Sequence, residues 1–115
     1  MVVAIEHESN HRGFESEIMK LLSVRCPVKL GITYTPFFAS QNTEGKCQQV
    51  LNDIHEVLVG KLKAISQVVD EDPKTEYLFL VGAEEQVQVI TWYACSFSAQ
   101  DVSRGLEIPH FSRTD

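Results

Sequence analysis

The stretch that decides the fold is AIEHESNHRGFESEIMKLLSVRCPVKLGITY, Ala4–Tyr34. It opens on alternation: Val3, Ile5 and His7 fall on one side of an extended chain, Ala4, Glu6 and Glu8 on the other, and the β-branched start favours a strand over Val2–Glu8. A polar connector follows, Ser9 to Gly13, in which Ser9 or Asn10 can cap a helix. From Phe14 the period changes. Phe14, Ile18, Leu21 and Leu22 stand at i, i+4, i+7 and i+8, one apolar stripe that predicts a helix over Phe14–Arg25. Pro27 ends it, and Val28–Tyr34 reads as a second strand with Leu30, Ile32 and Tyr34 on one face.

Outward from this unit the pattern repeats. After a loop from Thr35 to Asn42, a helix is expected from Thr43 to about Gln67, striped by Cys47, Val50, Leu51, Ile54, Leu58, Leu62, Ile65 and Val69. The acids Asp70, Glu71 and Asp72 oppose the helix dipole there, and Pro73 closes the segment. Tyr77–Val81 (YLFLV) is a continuous apolar run, the mark of a strand covered on both faces. Gly82–Glu85 reads as a turn into an alternating strand, Val87–Phe97. A short helical turn is expected near Asp101–Arg104. The order β-α-β-α-β-β predicts an α/β fold with a single mixed, mostly parallel four-stranded sheet, as one domain over residues 1–97 with a tail from Ser98 to Asp115.

Bulk properties narrow the function. The chain has 115 residues, enough for one hydrophobic core without staples. Its net charge of −6 argues against a strong autonomous grip on a phosphate backbone, although a local cluster can override a net sign. Cys26, Cys47 and Cys95 make an odd set with no CxxC pair, which fits free thiols in a reducing compartment better than a disulfide scaffold or a zinc site. MVVAIEHE is not a signal peptide, and no apolar run approaches the roughly 20 residues that span a bilayer, so a cytoplasmic location without membrane contact is expected.

The candidate chemistry lies in Glu6-His7-Glu8. Residues two apart on a strand point the same way, so Glu6 and Glu8 leave one face with Cα atoms roughly 6.5–7 Å apart. Two carboxylates so placed at the C-terminal end of a strand can share Mg²⁺, which polarises a phosphodiester and activates water. The plainer alternative is a solvated pair of acids. Glu17, at the edge of the first helix's stripe, can lean towards the same strand end or simply flank the helix surface. Lys20 is expected to form an i,i+3 pair with Glu17. Lys29 starts the neighbouring strand, away from the strand-end site. His7 alternates away from the two acids and is expected to pack; His11 lies in the connector; His55 is expected on the exposed flank of the long helix. Trp92, Tyr93 and Phe97 on the last strand suit either stacking on bases or packing.

On these residues Ala4–Tyr34 resembles the restriction-endonuclease-like, PD-(D/E)XK, nuclease superfamily. It looks like the core strand bearing the (D/E)-x-K half-motif, then the core helix, then the next strand. The resemblance implies a restriction-endonuclease-like core and Mg²⁺-dependent hydrolysis of DNA. Glu6 matches the acid of the half-motif, and Glu8 stands where the lysine usually is. It further implies a recruited polar group from the helix, for which Glu17 is the candidate. The first hairpin, which carries the family's first acid, has no counterpart before Val2, so a truncated or degenerate nuclease-like domain is expected. The alternative is a non-catalytic protein-interaction or assembly domain of the same fold, with an exposed edge strand able to form a homo-oligomer. An unrelated small α/β binding domain is a third reading.

Overall fold

A computed structural model describes residues 3–8, 14–36, 43–66, 72–86, 89–105 and 107–114. The expected caps Ser9 and Asn10, the connector histidine His11, most of the 35–42 loop, Val69 and the acids Asp70 and Glu71 lie outside the described residues. So do the side chains of Glu8, Phe14 and Cys47, whose backbones belong to regular elements.

The elements are β1 (Val3–Glu8), α1 (Phe14–Leu22), β2 (Val28–Pro36), α2 (Thr43–Ser66), β3 (Glu76–Gln86), β4 (Val89–Ser98), α3 (Ala99–Ser103) and β5 (Ser112–Arg113). α1 stops short of the expected Arg25. The Ser23 hydroxyl donates to the last-turn carbonyls of Met19 at 2.8 Å and Lys20 at 3.1 Å, and Pro27 forbids continuation. α3 is fixed by a capping box: Ser98 Oγ accepts from the Asp101 N–H, and the Asp101 carboxylate accepts from the Ser98 N–H.

The strands form one mixed sheet in the order β1-β2-β3-β4-β5. β1, β2 and β3 run parallel, while β4 is antiparallel to β3 and β5 to β4. The α/β class and single mixed sheet match expectation. Two details differ among the described residues: five strands rather than four, and parallel and antiparallel pairings equal in number rather than mostly parallel. β5 has only two residues, too short to leave a periodic signal. The expected turn at Gly82–Glu85 is also corrected, because β3 runs straight through it, pairing Gly82 with Trp92 and Ala83 with Thr91.

The strand order has a larger consequence. Both parallel steps, β1 to β2 and β2 to β3, move in the same direction across the sheet. Crossovers of one hand then place their helices on one side. α1 packs on β1 and β2, α2 packs on β3, and the two helices touch each other. The core lies between this helix layer and the sheet: Ile18, Leu21 and Leu22 from α1, Leu51, Ile54, Leu58 and Leu62 from α2, and Ala4, Phe79, Val81 and Cys95 from the strands. Tyr77, Phe79 and Phe97 form an aromatic seam within it, with Tyr77 and Phe97 centroids 5.0 Å apart and nearly parallel. Ile108 and Phe111, in the segment expected as a tail, are buried in the same core.

The opposite face of the sheet has no helix on it among the described residues. Leu78 and Leu80, the alternate positions of YLFLV, are only half-buried there, which overturns the expectation of a strand covered on both faces. An apolar run records that both sides of a strand are greasy; it does not record whether anything sits on them.

Candidate functional site

Glu6 leaves β1 on the helix side, partly buried, opposite Gly31 of β2 in the sheet register. Glu17 comes down from α1, one turn before Leu21, and is buried at 8% exposure. The two side chains approach closely enough to shift each other's ionisation. Two carboxyls so close disfavour each other's ionisation. Hydrogen bonding to Glu17, helped by burial and by the Glu17 charge, raises Glu6 above the usual carboxylate range, and Lys20 opposes this. Glu17 is lowered because it accepts from Glu6 and then from Lys20. The Lys20 ammonium sits 3.2 Å from Glu17 Oε1, the expected i,i+3 pair, with its own side chain 61% exposed. Of the two, Glu17 is the more readily ionised and Glu6 the less.

Thr33 follows Gly31 on the same face of β2, opposite Glu8 in the register. Its hydroxyl is fully buried and finds no hydrogen-bond partner among the described residues. A buried hydroxyl without a partner costs free energy, on the order of 1–3 kcal/mol, and invites an explanation at a site of this kind. Nothing in the sequence singled out Thr33; a lone threonine inside an apolar strand is an ordinary β former.

Glu6 and Glu17 thus lie near each other. The Glu8 backbone ends β1 beside them, while its side chain is outside the described residues. Among the described residues no group of three or more His, Cys, Asp or Glu side chains gathers in metal-binding range. Two carboxylates and a hydroxyl remain a donor set of all-oxygen chemistry, which suits a hard cation that keeps several waters.

Other candidates fall elsewhere. Lys29 is buried at 1% exposure within the core layer, its Nζ 3.5 Å from the Tyr77 hydroxyl and over the Tyr77 ring. His55 is not on an exposed flank. It is buried, its Nε2 lies 3.0 Å from the Ile108 carbonyl oxygen, and its ring stacks on His110 at 4.0 Å. The segment around Ile108, unrecognised as core from sequence, is what covers it. Cys26 and Cys95 are buried and form no disulfide. Burial pushes Cys95 up to about 11, and its Sγ donates to the Pro109 carbonyl at 3.0 Å, so it is no nucleophile at neutral pH. His7 projects to the open face and meets Tyr34 edge-on at 5.3 Å; Tyr34 meets Trp92 in the same way at 5.4 Å. Phe97 is core, whereas Trp92 stays half-exposed. No described helix is long and apolar enough to cross a membrane.

No protein-family model, curated protein or solved structure matches this chain.

Proposed function

We propose that this chain is a degenerate restriction-endonuclease-like domain whose Glu6–Glu17 pair, with Glu8, forms a divalent-cation site directed at DNA phosphodiesters. The observation that carries this reading is the meeting of two carboxyls from β1 and α1 at the C-terminal end of a parallel strand. Like-charged groups are not brought together for stability. A divalent cation would relieve the repulsion between the two carboxylates. The acid of the half-motif, Glu6, is one member, and the α1 acid Glu17 is the other.

Bound there, Mg²⁺ would polarise a phosphodiester oxygen and lower the pKa of a water ligand. The chain's own groups do the rest. Glu6 and Glu17 would hold the ion through their ionised carboxylates. Lys20 keeps Glu17 ionised, ready to accept. The unpartnered Thr33 hydroxyl is available to donate to an oxygen of the ligand shell. Titration calorimetry with MgCl₂ and MnCl₂ tests the reading. Wild type is expected to bind, Glu6→Ala to bind at least about tenfold more weakly, and Mn²⁺ to support nicking of supercoiled DNA by wild type alone. Equal binding by wild type and Glu6→Ala removes the metal site.

A second reading, a non-catalytic assembly domain of the same fold, is favoured by a different observation: the apolar sheet face that no helix covers.

A further inference from the structure

The segment 107–114 lies over α2 and β4 as a narrow strap. Gly105, at φ 71°, turns the chain out of α3 towards it. Of the strap residues only Ile108 and Phe111 are buried, and Ser112 and Arg113 pair with Ala94 and Tyr93 of β4. Thr114 ties down the far end, its N–H and its hydroxyl both donating to the Trp92 carbonyl, at 3.1 and 3.3 Å. Between these anchors, two side chains from beneath hold the strap backbone. The Cys95 thiol of β4 donates to the Pro109 carbonyl, and the His55 ring of α2 meets the Ile108 carbonyl oxygen at 3.0 Å. A carbonyl only accepts, so His55 Nε2 carries the hydrogen. His110, itself on the strap and exposed, lays its ring on that of buried His55, with centroids 4.0 Å apart and planes 24° from parallel.

Two imidazoles stacked in this way make a contact that depends on their charge. Imidazole is the side chain that takes up a proton between about pH 5 and 8. Neutral rings stack without repulsion, and a single charge on the pair is tolerated. Two charged rings at this separation repel, and water reaches the inner one poorly. Among the described residues no acid pairs with either ring to offset that charge. On α2, Asp53 and Glu56 flank His55 in sequence and are exposed. On α1, Glu17 and Lys20 are engaged with each other. α3 carries Asp101, tied into its own capping box, with exposed Arg104 after it. β3 carries Glu76, exposed, and β4 presents the Cys95 thiol, which burial pushes up to about 11 and keeps neutral. Glu107 and Arg113 of the strap are exposed. A strap held by two apolar side chains and a few hydrogen bonds has little local stability to set against the repulsion.

We propose that the His55–His110 stack is an acid-sensitive latch, which holds the strap on α2 and β4 while the rings are neutral and releases it when both take up protons. Release frees the Ile108 and Pro109 carbonyls and opens the core at Ile108, Phe111 and Cys95. β4 keeps its pairing with β3 along its length, so the strap can leave without unfolding the sheet. The latch draws on α2, β4 and the strap, not on β1 or α1, and is independent of the carboxyl pair and of the cation reading.

Amide hydrogen exchange by NMR, corrected for the intrinsic effect of pH and compared between about pH 7.5 and about pH 5.5, tests it on wild type, His110→Phe, His55→Gln and Glu6→Gln. Circular dichroism confirms each fold. Phe keeps a stacking ring that takes no charge, and Gln keeps a donor towards the Ile108 carbonyl. In wild type the opening of the Ser112–Thr114 amides is expected to rise about tenfold or more on going to the lower pH, relative to the Ile18 and Leu21 amides of α1. His110→Phe and His55→Gln are each expected to abolish the rise, and Glu6→Gln to retain it. His110 is exposed, so its variant decides the matter even where His55→Gln disturbs the core. Strap opening that does not change with pH overturns the proposal, and so does a rise that survives His110→Phe. A rise lost in Glu6→Gln also overturns it, by assigning the acid response to the carboxyl pair.

Discussion

The Glu6 side chain on β1 and the Glu17 side chain on α1 shift each other in opposite directions, Glu6 upward and Glu17 downward, and Lys20 pairs with Glu17 at 3.2 Å. A strand and the helix that follows it are normally joined by apolar contact. Here the junction of the first β-α unit has two acids in its place, on the sheet face that also carries a buried threonine hydroxyl without a described partner.

That pairing fixes a pH dependence. Glu6 is raised in the folded chain, so its contribution is present at low pH and is lost as pH climbs through its folded value. Glu17 is lowered, so its contribution is present above the ordinary carboxylate value and is lost as pH falls through its folded value. The pair is best satisfied in a mildly acidic window and is strained near neutrality. Glu6→Gln keeps a donor towards Glu17 without the second charge. It is expected to melt about 1–3 °C above wild type at pH 7, a gap that closes near pH 4, by calorimetry across that range.

Lys20→Met removes the exposed partner. An i,i+3 ion pair at a surface is worth only about 0.2–0.5 kcal/mol, so urea unfolding is expected to change by no more than that. The Glu17 carboxyl, followed by NMR, is expected to titrate higher than in wild type, because the ammonium that lowers it is gone.

Gly82→Ala drives a methyl into the Tyr34 and Trp92 rings. Because both rings border the open face, they can swing outward, so the cost is expected at the low end for overpacking, about 1 kcal/mol. Trp92 emission is expected to shift to the red as the indole leaves the sheet.

Leu58→Ala opens a cavity under α2, where Leu58 is completely buried among sheet and helix side chains. The expected loss is about 2–5 kcal/mol in urea unfolding, with the spread set by how far α2 can settle.

Much of the architecture was legible because the strong periods were. The stripe Ile18, Leu21, Leu22 and the run Leu51, Ile54, Leu58, Leu62 are buried where a 3.6-residue period puts them. The alternation around Glu6 set it on one face with Ala4 and Glu8, but His7, on the Val3 and Ile5 face and expected to pack, is exposed, because the helices cover the side of Ala4 and Glu6. What escaped depended on partners far along the chain. Gly82 reads as a turn residue, yet it serves two rings, one from β2 and one from β4. His55 reads as exposed until Ile108 and His110, over fifty residues later, close on it. Leu78 and Leu80 read as doubly covered because apolar composition is blind to the direction in which successive crossovers step. Thr33 carried no signal, since a missing hydrogen bond is a property of surroundings.

The most direct test of the carboxyl pair as a cation site is a carboxyl-carbon NMR titration of Glu6 and Glu17 with and without millimolar Mg²⁺. The expected result is a raised Glu6 titration in the absence of metal that falls below the ordinary carboxylate range when Mg²⁺ is present, with Glu17 moving in step. A Glu6 curve that Mg²⁺ leaves unmoved would contradict the account.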